Sequence, residues 1–453
     1  MKKIPVLILL FLSLFTLSGC AHFLTDVKPA KDSQLHEEIL PNGLKVLALK
    51  DAGASLAVFQ IWYHAGSVNE LTGKTGLSHL LEHMMFKGTH KYGPKSFSKI
   101  IKRAGGIDNA GTSKDYVFYY QKLTPDGLHL SIEMEADRMH NLILDPEETL
   151  SERDVVMEER RLRYEDNPQR LVYEEVISAA FKNHPYGRPV IGWMSDIKSI
   201  TREDLWEYYR KNYVPNNALI VVAGDIDIDT LMAKIRKEFG PIPRGRDIQS
   251  ININIEEPEQ RGERRVFVKK EAELPYILIA FKAPNILNKD SYALEILSSV
   301  LSGGKSTRIY KSLIDEKQIA LSAGAGYSSI QKYPFLFYLY GTALPGKTID
   351  EVEKALYGEM EKIKEKAPSE REVQKAKNQI EADFIMGKDS VFFQAEMLAI
   401  FEITGGWRLK DKYLDGIRQV KPEDVQRVAK KYLIEDRRTV GILIPVRSTD
   451  NHR

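Results

Sequence analysis

The sequence has little cysteine, little net charge and no long apolar run, and each shortage excludes a class of protein. Cys20 is the single cysteine among 453 residues, so an intrachain disulfide framework is excluded. The formal net charge is only +2 and no basic cluster stands out, which argues against nucleic-acid binding. With 43% hydrophobic and 28% charged residues, the composition is that of an ordinary globular protein. The length favours two or more domains.

The longest apolar run lies at the N-terminus, and it predicts a signal peptide over residues 1–19. The run from Val6 to Leu17 follows two lysines and is shorter than the roughly 20 residues that a membrane span needs. Residues 17–20 (LSGC) resemble a bacterial lipoprotein box, which implies that Cys20 carries a lipid. Residues 20–35 would then be a lipidated tether that anchors the chain to a membrane. A cleaved secretory signal with a chance cysteine remains the alternative.

The predicted lipid anchor places the chain in a bacterial cell envelope, facing the periplasm. Ala21, and not aspartate, follows the cysteine. By resemblance to sorting in enterobacteria, this residue favours the outer membrane over the inner membrane.

Two parts of the chain resemble each other at a nearly constant spacing. Residues 200–205 (ITREDL) recur as 420–425 (VKPEDV), and 151–155 (SERDV) match 369–373 (SEREV), an offset of 218. The first pair leads into a helical pattern and then an apolar strand. We interpret this as a duplicated unit, and we predict an α+β protein with two homologous sheet-plus-helix domains enclosing a cleft. The predicted domains are 36–240 and 263–446, joined by a polar linker at 241–262.

A histidine–glutamate–histidine motif in the first half predicts a metal site. The apolar residues of segment 76–86 (GLSHLLEHMMF) recur at helical spacing, so His79 and His83 share one helix face. Two imidazoles placed in this way can bind one tetrahedral zinc ion. Glu82 lies beside that face and could accept a proton from zinc-bound water. Alternatively, the two histidines merely border a polar face, because the motif arises by chance in roughly one such chain per hundred.

The surroundings of the motif carry a family resemblance. The chain resembles the pitrilysin-type (M16) zinc metallopeptidases, in particular their shorter branch, similar to the mitochondrial processing peptidase and known as M16B. The resemblance covers Glu38 to Ile444 and implies a zinc endopeptidase with the LuxS-like metallohydrolase fold. The matching residues are Ala65–Ser67, Glu70, Thr75–Leu77, Gly105–Gly106, Asn109–Ala110, Thr112–Ser113, Asp115–Tyr116, His184–Gly187 and Gly192.

The resemblance also implies the remaining metal-site residues. The third ligand of the family is a glutamate about 76 residues after the second histidine, which is Glu159 here, with Glu158 as a neighbouring rival. Glu152 lies seven residues earlier and would orient a histidine, or it could be a solvated charge on a helix face.

The second half provides an internal comparison for the metal site. At the offset of 218, the motif residues fall on Leu297, Val300 and Leu301, and Glu159 falls on Lys377. Because none of these is a usual zinc ligand, we predict one Zn²⁺ per chain.

The resemblance implies that substrate peptides are bound in an extended form. In the family, a peptide adds as a strand beside a stretch that corresponds here to Asn109, Ala110 and Gly111. Asn109 could equally be a turn residue.

The chain departs from the family at a substrate-binding arginine and tyrosine in the second half. Those positions fall on Ile314 and Leu321, and Arg308 lies nearby at the wrong spacing, with a role that the sequence leaves open. We therefore expect a homologous partner subunit to supply the pair, or a dimer, unless the register differs or this branch does without the pair. A non-catalytic scaffold or binding subunit is the alternative function.

Overall fold

The computed structural model describes residues 35–246 and 255–446, which form two β-sheets with helices on their faces. The strands of the first sheet are β1 (Leu35–Ile39), β2 (Lys45–Lys50), β3 (Ala57–Tyr63), β4 (Ile107–Thr112), β5 (Val117–Leu123) and β6 (Ala218–Gly224). The strands of the second are β7 (Arg264–Glu271), β8 (Tyr276–Ala283), β9 (Ala320–Gly326), β10 (Phe335–Ala343) and β11 (Arg438–Val446).

The two sheets have the same topology. The first has the order β1-β2-β6-β3-β5-β4 and the second has the order β7-β11-β8-β10-β9. The one parallel pair in each sheet is β2 with β6 and β7 with β11, and all other neighbours are antiparallel. The second sheet therefore repeats the first without β1, which makes β4 and β9 equivalent edge strands.

Among the described residues, the first half has eight α-helices and the second half has six. Those of the first half are α1 (Leu77–Met84), α2 (Ser96–Arg103), α3 (Leu128–His140), α4 (Pro146–Arg160), α5 (Pro168–Ala180), α6 (Met194–Ser199), α7 (Arg202–Asn212) and α8 (Ile228–Phe239). Those of the second half are α9 (Asp290–Leu301), α10 (Ile349–Glu365), α11 (Glu370–Gly387), α12 (Val391–Thr404), α13 (Leu409–Gln419) and α14 (Pro422–Tyr432). Within residues 35–246 and 255–446, two π-helical turns occur, at Arg161–Glu165 and Tyr310–Glu316.

Each sheet is covered on both faces, and each half contributes one covering helix to the other. Most helices of a half pack on one face of their own sheet and form its main core. Helix α5 packs instead against β7, β8 and β11, and α12 packs against β3 and β6. Burial on both faces explains why β3 and β6 are apolar and buried along almost their whole length, unlike the alternating pattern of a half-exposed strand.

The predicted α+β fold with two homologous units is confirmed, and residues of both halves line a cavity between them. That cavity, of about 470 Å³, lies between 112–116 of the first half and 328–335 of the second. The predicted signal peptide, Cys20 and most of the tether lie outside the described residues, as do residues 247–254 of the predicted linker. Strand β1 begins at Leu35, and the exact domain boundaries stay predictions. No helix among the described residues is long and apolar enough to cross a membrane.

Candidate metal centre

Helix α1 carries the histidine motif on the face that points away from the core. Leu77, Leu80, Leu81 and Met84 are buried under the first sheet. The helix periodicity therefore turns His79 and His83 to the opposite side, where their ring centroids lie 4.7 Å apart. Their side chains retain 12% and 21% of their exposure, so the site is sheltered but still open to the cleft.

Helix α4 packs on α1 and brings Glu159 to the two histidines. Its Oε2 lies 3.8 Å from His79 Nε2 and 3.4 Å from His83 Nε2. Among the described residues, these three form the one group of His, Cys, Asp or Glu donors that could share an ion, with all donor atoms within 4.8 Å. Two ligand atoms on a tetrahedral zinc ion are about 3.3 Å apart, so the donor set fits that metal.

The two histidines differ in their second nitrogen. His83 Nδ1 lies 2.8 Å from Glu152 Oε1, and Lys87 Nζ lies 2.5 Å from Glu152 Oε2. His79 Nδ1 is buried and has no hydrogen-bond partner among the described residues. Glu152 therefore fixes only one of the two rings, with Nδ1 as the donor and Nε2 free to bind a metal.

The electrostatics of the two histidines also differ. Burial and the adjacent His83 lower the pKa of His79 to about 4. Burial also opposes protonation of His83, but hydrogen bonds to Glu152 and Glu159 outweigh it and raise the pKa of His83 to about 9. His83 donates a hydrogen bond to each glutamate. The bond to Glu152 lowers the pKa of Glu152 to about 2, and the bond to Glu159 lowers the pKa of Glu159. Without a metal, between about pH 4 and pH 9, His79 is therefore neutral and His83 carries the one positive charge of the two imidazoles.

Glu82 is positioned from the opposite side of the cluster by β4. Thr112, the last residue of β4, donates a hydrogen bond of 2.5 Å from Oγ1 to Glu82 Oε2. Burial raises the pKa of Glu82 above its ordinary value, although the hydrogen bond from Thr112 opposes this. A carboxylate with a raised pKa, held in one orientation, is suited to accept and return a proton.

The start of α1 is held by Glu70, which the sequence marked only as part of a family motif. Glu70 is 4% exposed, and its carboxylate accepts hydrogen bonds from the backbone N–H groups of Gly76 (2.9 Å) and Ser78 (2.8 Å). Gly76 has φ +93°, and a side chain there would meet the carbonyl oxygen of Ile191. The glutamate thus satisfies helix N–H groups that would otherwise be buried without partners.

The structure also separates the candidates that the sequence left open. The Glu158 side chain is 56% exposed and pairs with Arg161, away from the histidines, so Glu159 is the glutamate that meets them. Glu152 is 9% exposed, so the alternative of a solvated charge is wrong. The structure adds Thr112, Lys87 and Arg163 to the site, and of these only Arg163 had a sequence signal, its spacing of four residues from Glu159. Arg163 Nη1 lies 2.8 Å from Glu159 Oε1.

The predicted peptide-binding stretch forms part of an edge strand. Asn109, Ala110 and Gly111 lie within β4, which pairs with β5 on one side only. Asn109 is paired with Tyr120 in the strand ladder, so the alternative that it is a turn residue is wrong. The free edge of β4 leads directly to Thr112 and hence to Glu82.

The positions of the missing arginine and tyrosine lie in and next to β9. Leu321 lies in β9 and is 57% exposed, whereas Ile314 is partly buried against the second core. Arg308 pairs with Glu372 at 2.7 Å. The side chains of Ile314 and Leu321 have no hydrogen-bond donor, and Nε and Nη2 of Arg308 both donate to Glu372.

Comparisons with known proteins identify the family of the chain. Residues 45–193 match the model of the insulinase family (peptidase family M16), and residues 199–380 match that of the peptidase M16 inactive domain. Zinc protease PqqE of Helicobacter pylori is 32% identical over 414 residues, which cover 90% of this chain and 93% of that protein. The uncharacterized zinc protease YmxG of Bacillus subtilis is 26% identical, covering 87% of this chain and 95% of that protein.

The chain is also similar to solved structures of proteases. A protease from Helicobacter pylori has a TM-score of 0.88 at 30% identity, over 91% of this chain and 100% of that one. The periplasmic protease PqqL of Escherichia coli shares the fold, with a TM-score of 0.75 at 18% identity over 92% of this chain and 48% of that one. With relatives that are named zinc proteases along nearly its whole length, the chain belongs to peptidase family M16.

Proposed function

We propose that the chain is a zinc-dependent endopeptidase that cleaves extended or unfolded peptides. The observation that supports this most is the convergence of His79, His83 and Glu159 within 4.8 Å. Glu82, on the same helical turn, is held in place by Thr112. This is the arrangement that metal-assisted hydrolysis of a peptide bond needs.

Each residue of the site has a distinct part in this reaction. His79, His83 and Glu159 would hold the zinc ion, which would polarise the substrate carbonyl and lower the pKa of a bound water. Glu82 would take the proton of the attacking water and pass it to the leaving nitrogen. Thr112 would hold the Glu82 carboxylate, and Glu152 would keep the His83 ring in its ligating orientation.

The free edge of β4 would present the peptide to this site. An extended peptide paired with β4 would hydrogen-bond to the main chain of 109–111, a mode that reads backbone more than side chains. Because β4 ends at Thr112, such a peptide would pass the Glu82 carboxylate.

The test compares neighbouring glutamates. Glu82→Gln should retain zinc and lose about 10²–10⁴-fold in peptide cleavage, because the proton acceptor is gone. Glu159→Gln should lose zinc, whereas the matched variant Glu158→Gln should retain both zinc and cleavage. Zinc content and cleavage of an unstructured fluorogenic peptide measure both effects. A wild-type protein purified without zinc, and unable to bind it at neutral pH, would favour a non-catalytic scaffold.

We further propose that a homologous subunit, or a dimer, completes the substrate site. The side chains of Ile314 and Leu321 cannot donate hydrogen bonds to a peptide carbonyl, and the guanidinium of Arg308 is engaged with Glu372. Cleavage by the purified chain alone should then be weak and should rise when a homologue bearing the arginine and tyrosine is added. Full turnover by a monomer at a concentration that excludes association would contradict this.

We also propose that a lipid on Cys20 anchors the protein to a membrane and that the protein faces the periplasm. The lipoprotein box supports the anchor, and the periplasmic location of PqqL supports the compartment. Labelled palmitate should be incorporated into the wild type and not into Cys20→Ala, and fractionation should place the wild type with the outer membrane. Unchanged labelling of the variant would contradict the anchor.

A further inference from the structure

A cavity of about 530 Å³ adjoins the metal cluster and is bounded by the π-helical turn that follows α4. His79, Glu159 and Thr112 form its wall on the side of the cluster. Leu162, Val190 and Ile191 supply apolar surface, and Leu162 is 63% exposed. The cavity is therefore large enough for a substrate side chain and lies next to the proposed reaction centre.

The charges that line this cavity are not balanced. Its one lining carboxylate is Glu159, which already faces His83 on one oxygen and Arg163 on the other. Arg170, in the first turn of α5, also lines the cavity. No carboxylate of the described residues lies within ion-pair distance of its guanidinium, although the backbone N–H of Arg170 bonds Asn167.

The neighbouring cavity toward the second half has the same sign of charge. It shares Thr112 and Val190 with the first cavity and is lined by Lys114 and Lys332. Its lining carboxylate, Asp115, accepts hydrogen bonds from the Tyr186 hydroxyl and from the backbone N–H of Lys332. Within the described part of the chain, the side-chain ammonium of Lys332 forms no close ion pair. Burial raises the pKa of the Asp115 carboxyl, and the charge of Lys332 acts on that carboxyl only from a distance and opposes the rise. The cleft therefore carries more cationic than anionic side chains on both sides of Thr112.

We propose that this cleft selects peptides that place a carboxylate in the cavity beside the metal cluster, and that Arg170 is the residue that recognises it. The inference rests on the proposed function, because it assigns the substrate class of the same site. A guanidinium without a carboxylate partner, close to apolar surface, gains a charge-assisted hydrogen bond when an acidic substrate binds. A glutamine at the same substrate position gains only a neutral one.

Two sources could supply this carboxylate: the side chain of an internal Asp or Glu, or the C-terminus of a short peptide. Both present the same planar pair of oxygens to Arg170. They differ in that amidation removes the C-terminal charge and leaves an internal side chain intact.

The experiment measures binding, so that it does not depend on turnover. Fluorescent, N-acetylated peptides with one otherwise neutral sequence carry Glu or Gln at each position in turn, with an amide or a free acid at the C-terminus. Their dissociation constants are measured by anisotropy on zinc-loaded Glu82→Gln protein. We expect Glu, or the free acid, to bind about tenfold more tightly than its neutral counterpart at one position. The arm that shows the preference identifies the source of the carboxylate.

Two variants in the Glu82→Gln background complete the test. Arg170→Gln should reduce the preference to about one, because the recognising guanidinium is removed. Arg161→Gln removes an equal charge from the π-helical turn that precedes α5, but Arg161 pairs with the exposed Glu158 and does not line the cavity, so the preference should persist. Equal affinities for every acidic and neutral pair, or a preference that survives in Arg170→Gln, would overturn the inference.

Failure of the proposed function would look different. Wild-type protein is incubated with the same peptides, and products are identified by mass spectrometry. Charge-selective binding without any cleavage, even after a homologue bearing the arginine and tyrosine is added, would remove the endopeptidase assignment and would still support Arg170 as the recognising residue. Cleavage of all peptides with equal binding affinities would support the endopeptidase assignment and would remove Arg170 as the recognising residue.

Discussion

Helices α1 and α4 of the first half have counterparts in α9 and α11 of the second, and the same frame is used for opposite purposes. Both pairs pack together beside sheets of the same strand order. At the offset of 218, the positions of His79, Glu82 and His83 hold Leu297, Val300 and Leu301. These three are 0%, 5% and 0% exposed and belong to the second core. Lys377, at the position of Glu159, donates to the backbone carbonyl of Arg418.

The comparison shows that the metal site costs the first half some folding free energy. Imidazole and carboxylate groups in a sheltered face each cost desolvation free energy that apolar side chains do not. The second half has filled the equivalent face with leucine and valine and has made it part of the core. The polar face of α1 is therefore a feature that the fold does not need, which is the physical reason for assigning a function to it.

The largest effect should come from making the first half resemble the second. His79→Leu removes one of three ligands, so we expect zinc binding to be lost and cleavage to fall below that of Glu82→Gln. The zinc-free variant should be at least as stable to urea as the zinc-free wild type, because the buried Nδ1 of His79 has no hydrogen-bond partner to lose. Metal analysis and urea unfolding in chelator test this. A large drop in zinc-free stability would show that the histidine is structural.

The reverse substitution should destabilise without creating a site. Leu297→His places an imidazole in a fully buried apolar position, which should cost about 1–3 kcal/mol of unfolding free energy. Zinc content should stay at one per chain, since Leu301 and Lys377 leave the new imidazole without fellow ligands. Urea unfolding and metal analysis measure the two quantities. A second bound zinc would mean that the second half retains a latent site.

The starts of the two helices offer a finer comparison. Glu70 accepts hydrogen bonds from the backbone of α1, whereas Asp290 at the start of α9 pairs with Arg427 and Lys431 of α14. Glu70→Ala should cost about 1–3 kcal/mol of stability and should also weaken zinc binding, because buried N–H groups beside the motif lose their acceptor.

Asp290→Ala serves as the matched control. It should lower stability and leave zinc affinity unchanged, because α9 carries no ligand. Denaturant unfolding and competition with a zinc chelator separate the two results. Equal zinc affinity in Glu70→Ala and wild type would limit Glu70 to a structural role.

Local spacing predicted the two histidines of the metal site, the offset of 218 predicted the duplication, and Glu159 was implied only by the family resemblance. Residues four apart on a helix share a face, and the motif 200–205 recurs where α7 and α14 begin. The contact that holds Glu82 comes from a more distant segment, because Thr112 lies at a strand edge 30 residues further along the chain. Arg163 lies four residues after Glu159, so this ion pair has the ordinary i,i+4 spacing of a helix.

The sequence pattern also did not predict that each half contributes one helix to cover the sheet of the other half. Helix α12 reads as a strongly apolar helix, which indicates burial but not the sheet that buries it. Only the tertiary structure shows that it covers the first sheet while α5 covers the second.

The smallest expected effect is the release of protons when zinc binds to the two histidines. The second half has no residues equivalent to them. Without metal, the pKa of His83 is about 9 and that of His79 about 4, so at pH 6 only His83 carries a proton. Zinc binding at pH 6 should therefore release about one proton per ion, since a ligating imidazole must be neutral. Calorimetric titration in buffers of different ionisation enthalpy gives this number. The sign of the pH dependence follows: between pH 5 and 8, zinc affinity should rise with pH as His83 gives up its proton more readily. Release of nearly two protons would show that both rings are protonated in the metal-free cluster, and release of none would show that Glu152 does not hold His83 in its charged form.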